Sequence, residues 1–393
     1  MYQTVLATAF LASTAAAHQL YSRQSAGYPA PLTKGPQPKQ EWVDTYNRIK
    51  AEGKIPGFAP STPNGAGGVT YPAGTDQGED GVCSWTTAHC FGDNDIYDAP
   101  DNMYAVAFDD GPVPQSERLY QFLQQNNQSA THFLIGTNIV QYPASFKAMT
   151  TLTDMQVLGE LGWTAQALFD SSGGIVPKFW RPPYGDADNR VRAIAEEVFG
   201  LTLVGWNRDS NDWCLNYGLG NCPSYAPNSQ ADLEGELNGW INGDKSPGPM
   251  GLEHDIGDIP ISAFINTYPG LKQQGWDARC VPDLFGLPWY QNAARNGTPV
   301  ATTLGIGMGN VSVPMSSSAA ASSMSASSAS SASSSASAPV TTSSSGSSSA
   351  PSPSATRSPA EAAADKSGGA VSFSISALAS ALVGFAAITL LYV

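Results

Sequence analysis

Between residues 103 and 305, short apolar runs alternate with longer segments whose apolar positions recur every three or four residues. The runs at 104–108, 131–135, 178–181, 201–206, 250–253 and 278–281 predict strands. The segments 116–125, 154–171, 188–199, 229–242 and 259–274 predict helices. Regular alternation of this kind predicts a parallel sheet or barrel, in which reactive residues gather at the carboxyl ends of the strands. Asp109, Asp110, Arg181 and His254 each fall just past such an end. Ahead of this domain, residues 18–100 are rich in Pro and Gly, with one helical stretch at 40–52. They are expected to wrap the domain, not to fold alone.

Outside that pattern, composition changes the picture. Residues 316–366 are dominated by Ser, Ala and Thr with Pro, which cannot bury a core, and predict a disordered, O-glycosylated stalk. Residues 1–17 carry an apolar run closed by Ala15-Ala16-Ala17, the form of a secretory signal. Residues 371–393 have no charge and follow Ser367-Gly368-Gly369. That is the form of a glycolipid-anchor signal covering 367–393, with Ser367 or Gly368 as attachment site. The competing reading of the same run is a membrane-spanning helix. A lipid-anchored protein at the plasma membrane and cell wall is the expectation.

Secretion agrees with three glycosylation sequons, at Asn127, Asn296 and Asn310. The chain has 5 cysteines, Cys83, Cys90, Cys214, Cys222 and Cys280, so at least one stays unpaired within the chain. Cys83 with Cys90 and Cys214 with Cys222 are nearest in sequence, which by itself does not establish pairing. A formal charge of -14, from 19 basic and 33 acidic side chains, argues against a nucleic-acid partner.

The chemistry concentrates at Phe108-Asp109-Asp110-Gly111-Pro112. Two adjacent carboxylates after an apolar run offer one as a base and the other as a metal ligand. A metal held this way needs further ligands, usually His. Only 4 histidines occur, His18, His89, His132 and His254, and none forms a short-spaced pair. His132 lies inside an apolar run and reads as packed; His89 has no partner that would make it a ligand.

Together with Arg181-Pro182-Pro183-Tyr184-Gly185, Asp212-Trp213 and Leu252-Glu253-His254-Asp255, the carboxylate pair resembles four of the five motifs of the polysaccharide deacetylases, the carbohydrate esterases of family 4 with a NodB-homology domain. The likeness covers about residues 101–305 and leans toward the anchored fungal chitin deacetylases. It implies an α/β fold, a distorted (β/α) barrel, and hydrolysis of N-acetyl groups on chitin and its N-acetylglucosamine oligomers to chitosan and acetate. By the same resemblance Asp109 would be the general base and Asp110 a ligand to a divalent metal, Co2+ or Zn2+. His254 would be the general acid, with Arg181 and Asp212 orienting Asp109 and His254. The backbone N–H of Tyr184 would face the oxyanion, and Trp213 and Leu252 would line the acetyl pocket.

One family motif is absent. The His pair that completes the metal site would lie at the junction between Lys147 and Thr151, where this chain passes directly into its next helix. The barrel is therefore expected to lack one strand, and the ligand set to be incomplete. Skipped coding sequence accounts for a gap that keeps the reading frame. The alternative function is a catalytically inactive chitin-binding or structural wall protein.

Overall fold

The computed structural model describes residues 27–29, 35–64, 68–136, 148–217, 222–295, 298–299 and 304–309. The signal segment, the stalk, the anchor segment with Ser367 and Gly368, and Asn296 and Asn310 lie outside the described residues.

Strands β1 (Thr62–Pro63) and β2 (Val69–Thr70) form a small antiparallel pair in the lead-in. The central strand follows as two consecutive pieces, β3 (Met103–Ala105) and β4 (Ala107–Asp109). Its side chains alternate between two faces, as pleating requires. Tyr104, Val106 and Phe108 point toward the helices Ser116–Gln125 and Asp258–Gln273, meeting Leu119, Leu123, Ile261 and Phe264. Ala105 and Ala107 point the other way, into an interior shared with Val204, Met250 and Phe133. The same alternation carries Asp109 to the interior face at the strand's carboxyl end.

Along one edge, β4 pairs in parallel with β5 (Thr131–Phe133), with Phe108 opposite His132. β6 (Phe179–Trp180) pairs in parallel with β7 (Thr202–Leu203), and β8 (Arg208–Asp209) with β9 (Gly251–Leu252). β3 pairs with β10 (Asp277–Arg279), also in parallel. Bridges Ala105–Met250 and Asp109–His254 lay the β9 segment along the other edge of the central strand. A last antiparallel pair joins β11 (Ala293–Arg295) and β12 (Thr298–Pro299). This is the distorted (β/α) barrel expected, and it does not close. Among the described residues no strand pairs with the outer edge of β5 or of β6.

Helices Ser116–Gln125 and Asp154–Ser171 occupy the positions their periodicity predicts. The latter opens on a capping box, Thr153 with Gln156. The helix expected at 188–199 is Asn189–Ala193, running on as a π-helical turn at Ile194–Val198. Strands are shorter than their apolar runs, because pairing stops where a neighbour ends.

One helix of the lead-in packs into the core of the domain. Trp42, Tyr46 and Ile49 of helix Gln40–Ala51 are buried with Val157, Leu158, Val191 and Val198. A Cβ on Gly162 would stand 2.4 Å from the Trp42 ring, so only glycine lets helix and indole meet. Cys83–Cys90 and Cys214–Cys222 are disulfides, and Cys280 is buried and unpaired.

Candidate active site

Two charge pairs face one opening at the strand ends. Arg181 lies just after β6, where the chain enters two prolines, and its side chain is buried. Its Nη1 donates to Asp109 Oδ1 at 2.7 Å. Its remaining donors go to backbone: Nε to Val204 O at 3.1 Å and Nη2 to Gly205 O at 2.8 Å. The guanidinium also lies 4.4 Å from the Phe133 ring centre and 5.6 Å from that of Trp206. A buried cation with its donors used and its planes covered cannot turn away from Asp109. Burial raises the Asp109 pKa despite this partner, which makes the carboxylate a better base.

The second pair is His254 with Asp212. Nδ1 of His254 lies 2.6 Å from Asp212 Oδ1, and the His254 backbone N–H donates to Asp212 Oδ2 at 2.7 Å. Both carboxylate oxygens are thus committed to one residue, which fixes ring orientation and leaves Nε2 facing the site. Burial opposes charge on the imidazole. Asp212, by charge and hydrogen bond, outweighs it, with help from Asp110 and Asp109, and His254 rises to about 10. It is therefore protonated at neutral pH, the state an acid needs.

Asp110 sits between the pairs, its Oδ2 3.8 Å from His254 Nε2. Its backbone is left-handed, φ 73°, a conformation Asp tolerates better than most residues. Burial and the neighbouring Asp109, Asp212 and Asp255 raise its pKa to about 6. Tyr184 has φ 59° in the turn Pro183–Gly185 and is 67% exposed beside this opening. Leu252 is buried at the end of β9, and Trp213 is half-buried at the start of helix Trp213–Tyr217. Asn127 is exposed in the turn after helix Ser116–Gln125, as a glycosylation acceptor requires.

The described residues do not fit a resident metal. Among the described residues no three His, Cys, Asp or Glu side chains are placed to hold one. Residues 137–147 contain none of these four types. His132, the nearest spare imidazole on β5, turns to Asp255 at 3.7 Å and stacks on Phe108. Its buried Nδ1 and Asp255 Oδ1 have no hydrogen-bond partner among the described residues.

Sequence reading missed three contributors. Trp206 covers Arg181. Glu253, buried between Leu252 and His254, is pushed to about 8 by burial and by Asp212, so it is neutral at pH 7 and does not compete for Arg181. Asp255 donates its backbone N–H to Asp109 O at 3.2 Å and braces that strand end. Glu253 and Asp255 had only their position beside His254 as a signal, and Trp206 had none.

Residues 97–151 match the polysaccharide deacetylase family. Chitin deacetylase 3 of Cryptococcus neoformans var. neoformans serotype D is 38% identical over 287 residues, 68% of this chain and 67% of that protein. Chitin deacetylase 2 of Cryptococcus neoformans var. grubii serotype A is 33% identical over 246 residues, 56% of this chain and 52% of that protein. Among solved structures, the chitin deacetylase from Colletotrichum lindemuthianum superposes with a TM-score of 0.42 and 19% identity over 50% of this chain and 94% of that one. The chain belongs to the polysaccharide deacetylases, a class of hydrolases, and is similar to the chitin deacetylases of fungi.

Proposed function

We propose that the protein acts on N-acetylglucosamine polymers of the cell wall, as a hydrolytic N-deacetylase of chitin. The observation that carries this is the facing arrangement of Asp109–Arg181 and His254–Asp212 across one opening. Deacetylation needs a base that takes a proton from water and an acid that gives one to the departing amine. A raised carboxylate and a charged imidazole, each held by a buried partner, have those two properties. Tyr184, behind two prolines that carry no N–H, would present its amide to the oxyanion. Trp213 and Leu252 would border the acetyl group.

One observation favours a second reading. With Asp110 as the remaining member of the family's ligand set, the protein would hold the polymer without hydrolysing it. Among the described residues no three His, Cys, Asp or Glu side chains come together to hold the metal. Location at the cell surface through a glycolipid at Ser367 or Gly368 belongs to the same proposal, as does glycosylation at Asn127, Asn296 and Asn310.

Acetate release from chitin oligomers, with and without added Co2+ or Zn2+, separates the readings when run beside oligomer affinity. Release that Asp109→Asn abolishes supports the deacetylase. Binding without release supports the holding protein. Neither release nor binding overturns both. Sequencing the transcript across the codons for residues 146–154 shows whether a longer product supplies the His pair.

A further inference from the structure

The lead-in places the aromatic rings of Trp85, Phe91 and Tyr97 beside the site, next to Trp206 and Tyr184. The disulfide Cys83–Cys90 closes a short loop containing helix Trp85–Ala88. The Trp85 ring lies over Gly185, where a Cβ would come within 2.5 Å of it; Gly185 has φ +71° and directly follows Tyr184. Trp85 and Trp206 have ring centres 5.2 Å apart, and Trp206 covers the guanidinium that holds Asp109. One residue before Trp206, a Cβ on Gly205 would stand 2.1 Å from the Tyr97 ring. Tyr97 in turn meets Phe91, with centres 3.9 Å apart. Neighbouring aromatic residues therefore run from Tyr184 through Trp85 and Trp206 to Tyr97 and Phe91, with ring contact in the pairs Trp85–Trp206 and Phe91–Tyr97. Both ends are open to solvent, Tyr184 at 67% and Phe91 at 51%.

The loop is held by more polar bonds than packing alone requires. Arg192 donates from Nη1 to Cys83 O at 2.6 Å, from Nη2 to Cys90 O at 3.0 Å and from Nε to Asp95 Oδ2 at 2.7 Å. Thr86 Oγ1 donates to Asp186 Oδ1 at 2.5 Å, and the Trp85 N–H donates to Ala187 O at 3.0 Å. Trp85 is thus fixed to the turn that carries Tyr184. A ring fixed in advance loses little freedom when a ligand stacks on it.

We propose that this loop and Phe91 form an aromatic platform that extends the carbohydrate site outward from the reaction centre. Its occupant is the N-acetylglucosamine polymer. A pyranose ring presents a flat face of C–H groups, which buries apolar area on an aromatic face while its hydroxyls stay in water. The inference rests on the proposed chitin substrate and adds that recognition is of several sugar units, with Trp85 nearest the centre and Phe91 farthest.

The test is calorimetric titration of the full chain with N-acetylglucosamine dimer and pentamer. Trp85→Ala is expected to weaken pentamer binding about tenfold, near 1.4 kcal/mol. Phe91→Ala is expected to weaken pentamer binding and leave the dimer unchanged. Trp85→Phe, which keeps a ring over Gly185, and the half-exposed Phe91→Ala keep the test decisive should Trp85→Ala not fold. Unchanged pentamer affinity in folded Phe91→Ala and Trp85→Ala overturns the platform alone. An unsubstituted chain that binds neither oligomer overturns the chitin reading and the platform together.

Discussion

The two sides of the opening are built to different standards. On one side Arg181 and Asp212 lock Asp109 and His254 with direct charged hydrogen bonds, and backbone groups use up the remaining donors. On the other, between β5 and β6, the described residues pair no strand with either facing edge, and Phe133 reaches Arg181 across the gap by ring contact. The acid–base half is completed by residues far apart in sequence but each bonded to the central strand or its neighbour. On the ligand side, no three His, Cys, Asp or Glu side chains come together among the described residues.

Arg181→Met gives the largest effect expected. It strands the buried Asp109 charge and frees three carbonyls, those of Val204, Gly205 and Gly251, so stability should fall by about 3–5 kcal/mol in urea unfolding. Adding Asp109→Leu should restore much of that, because an apolar pair replaces a charge left alone. A double variant no more stable than the single one would show that the backbone bonds of Arg181 dominate.

Asp212→Asn should lower the His254 pKa from about 10, because burial then acts with less opposition; histidine NMR titration reads it. The sign follows from linkage. Folding raises His254 above its ordinary 6.5, so the pair's contribution is full below pH 6.5 and lost as pH rises through about 10. The stability gap between the unsubstituted chain and Asp212→Asn should therefore shrink across that window.

His132→Phe probes the open side. It removes a buried Nδ1 that lacks a hydrogen-bond partner while keeping a ring on Phe108, so the stability change should stay within about 1 kcal/mol. The smallest effect expected is that of metal. With no ligand set among the described residues, Zn2+ should bind the native state too weakly to raise Tm, and Asp110→Asn should change nothing in that measurement. A Tm that climbs with Zn2+ and depends on Asp110 would erase the contrast between the two sides.

Helices Ser116–Gln125 and Asp154–Ser171 were legible because amphipathic periodicity is a local signal. Asp109, Arg181, Asp212 and His254 were legible through their motifs, and the structure brings all four to one opening. The Cys83–Cys90 and Cys214–Cys222 bonds were left open by spacing and decided by the fold. Trp206 and the Trp85 loop carried no local signal, and Glu253 and Asp255 only their place beside His254, since their roles come from what the chain meets after folding.

By itself the sequence determined the strand–helix alternation and the residues offered for chemistry, because periodicity and residue type are written along the chain. Only the tertiary structure decided that Trp42 anchors the lead-in within the core, that His254 is held charged and that aromatic rings continue the site. Each depends on burial and on partners brought from distant positions, and neither burial nor field at a point in space is a property of its neighbours in sequence.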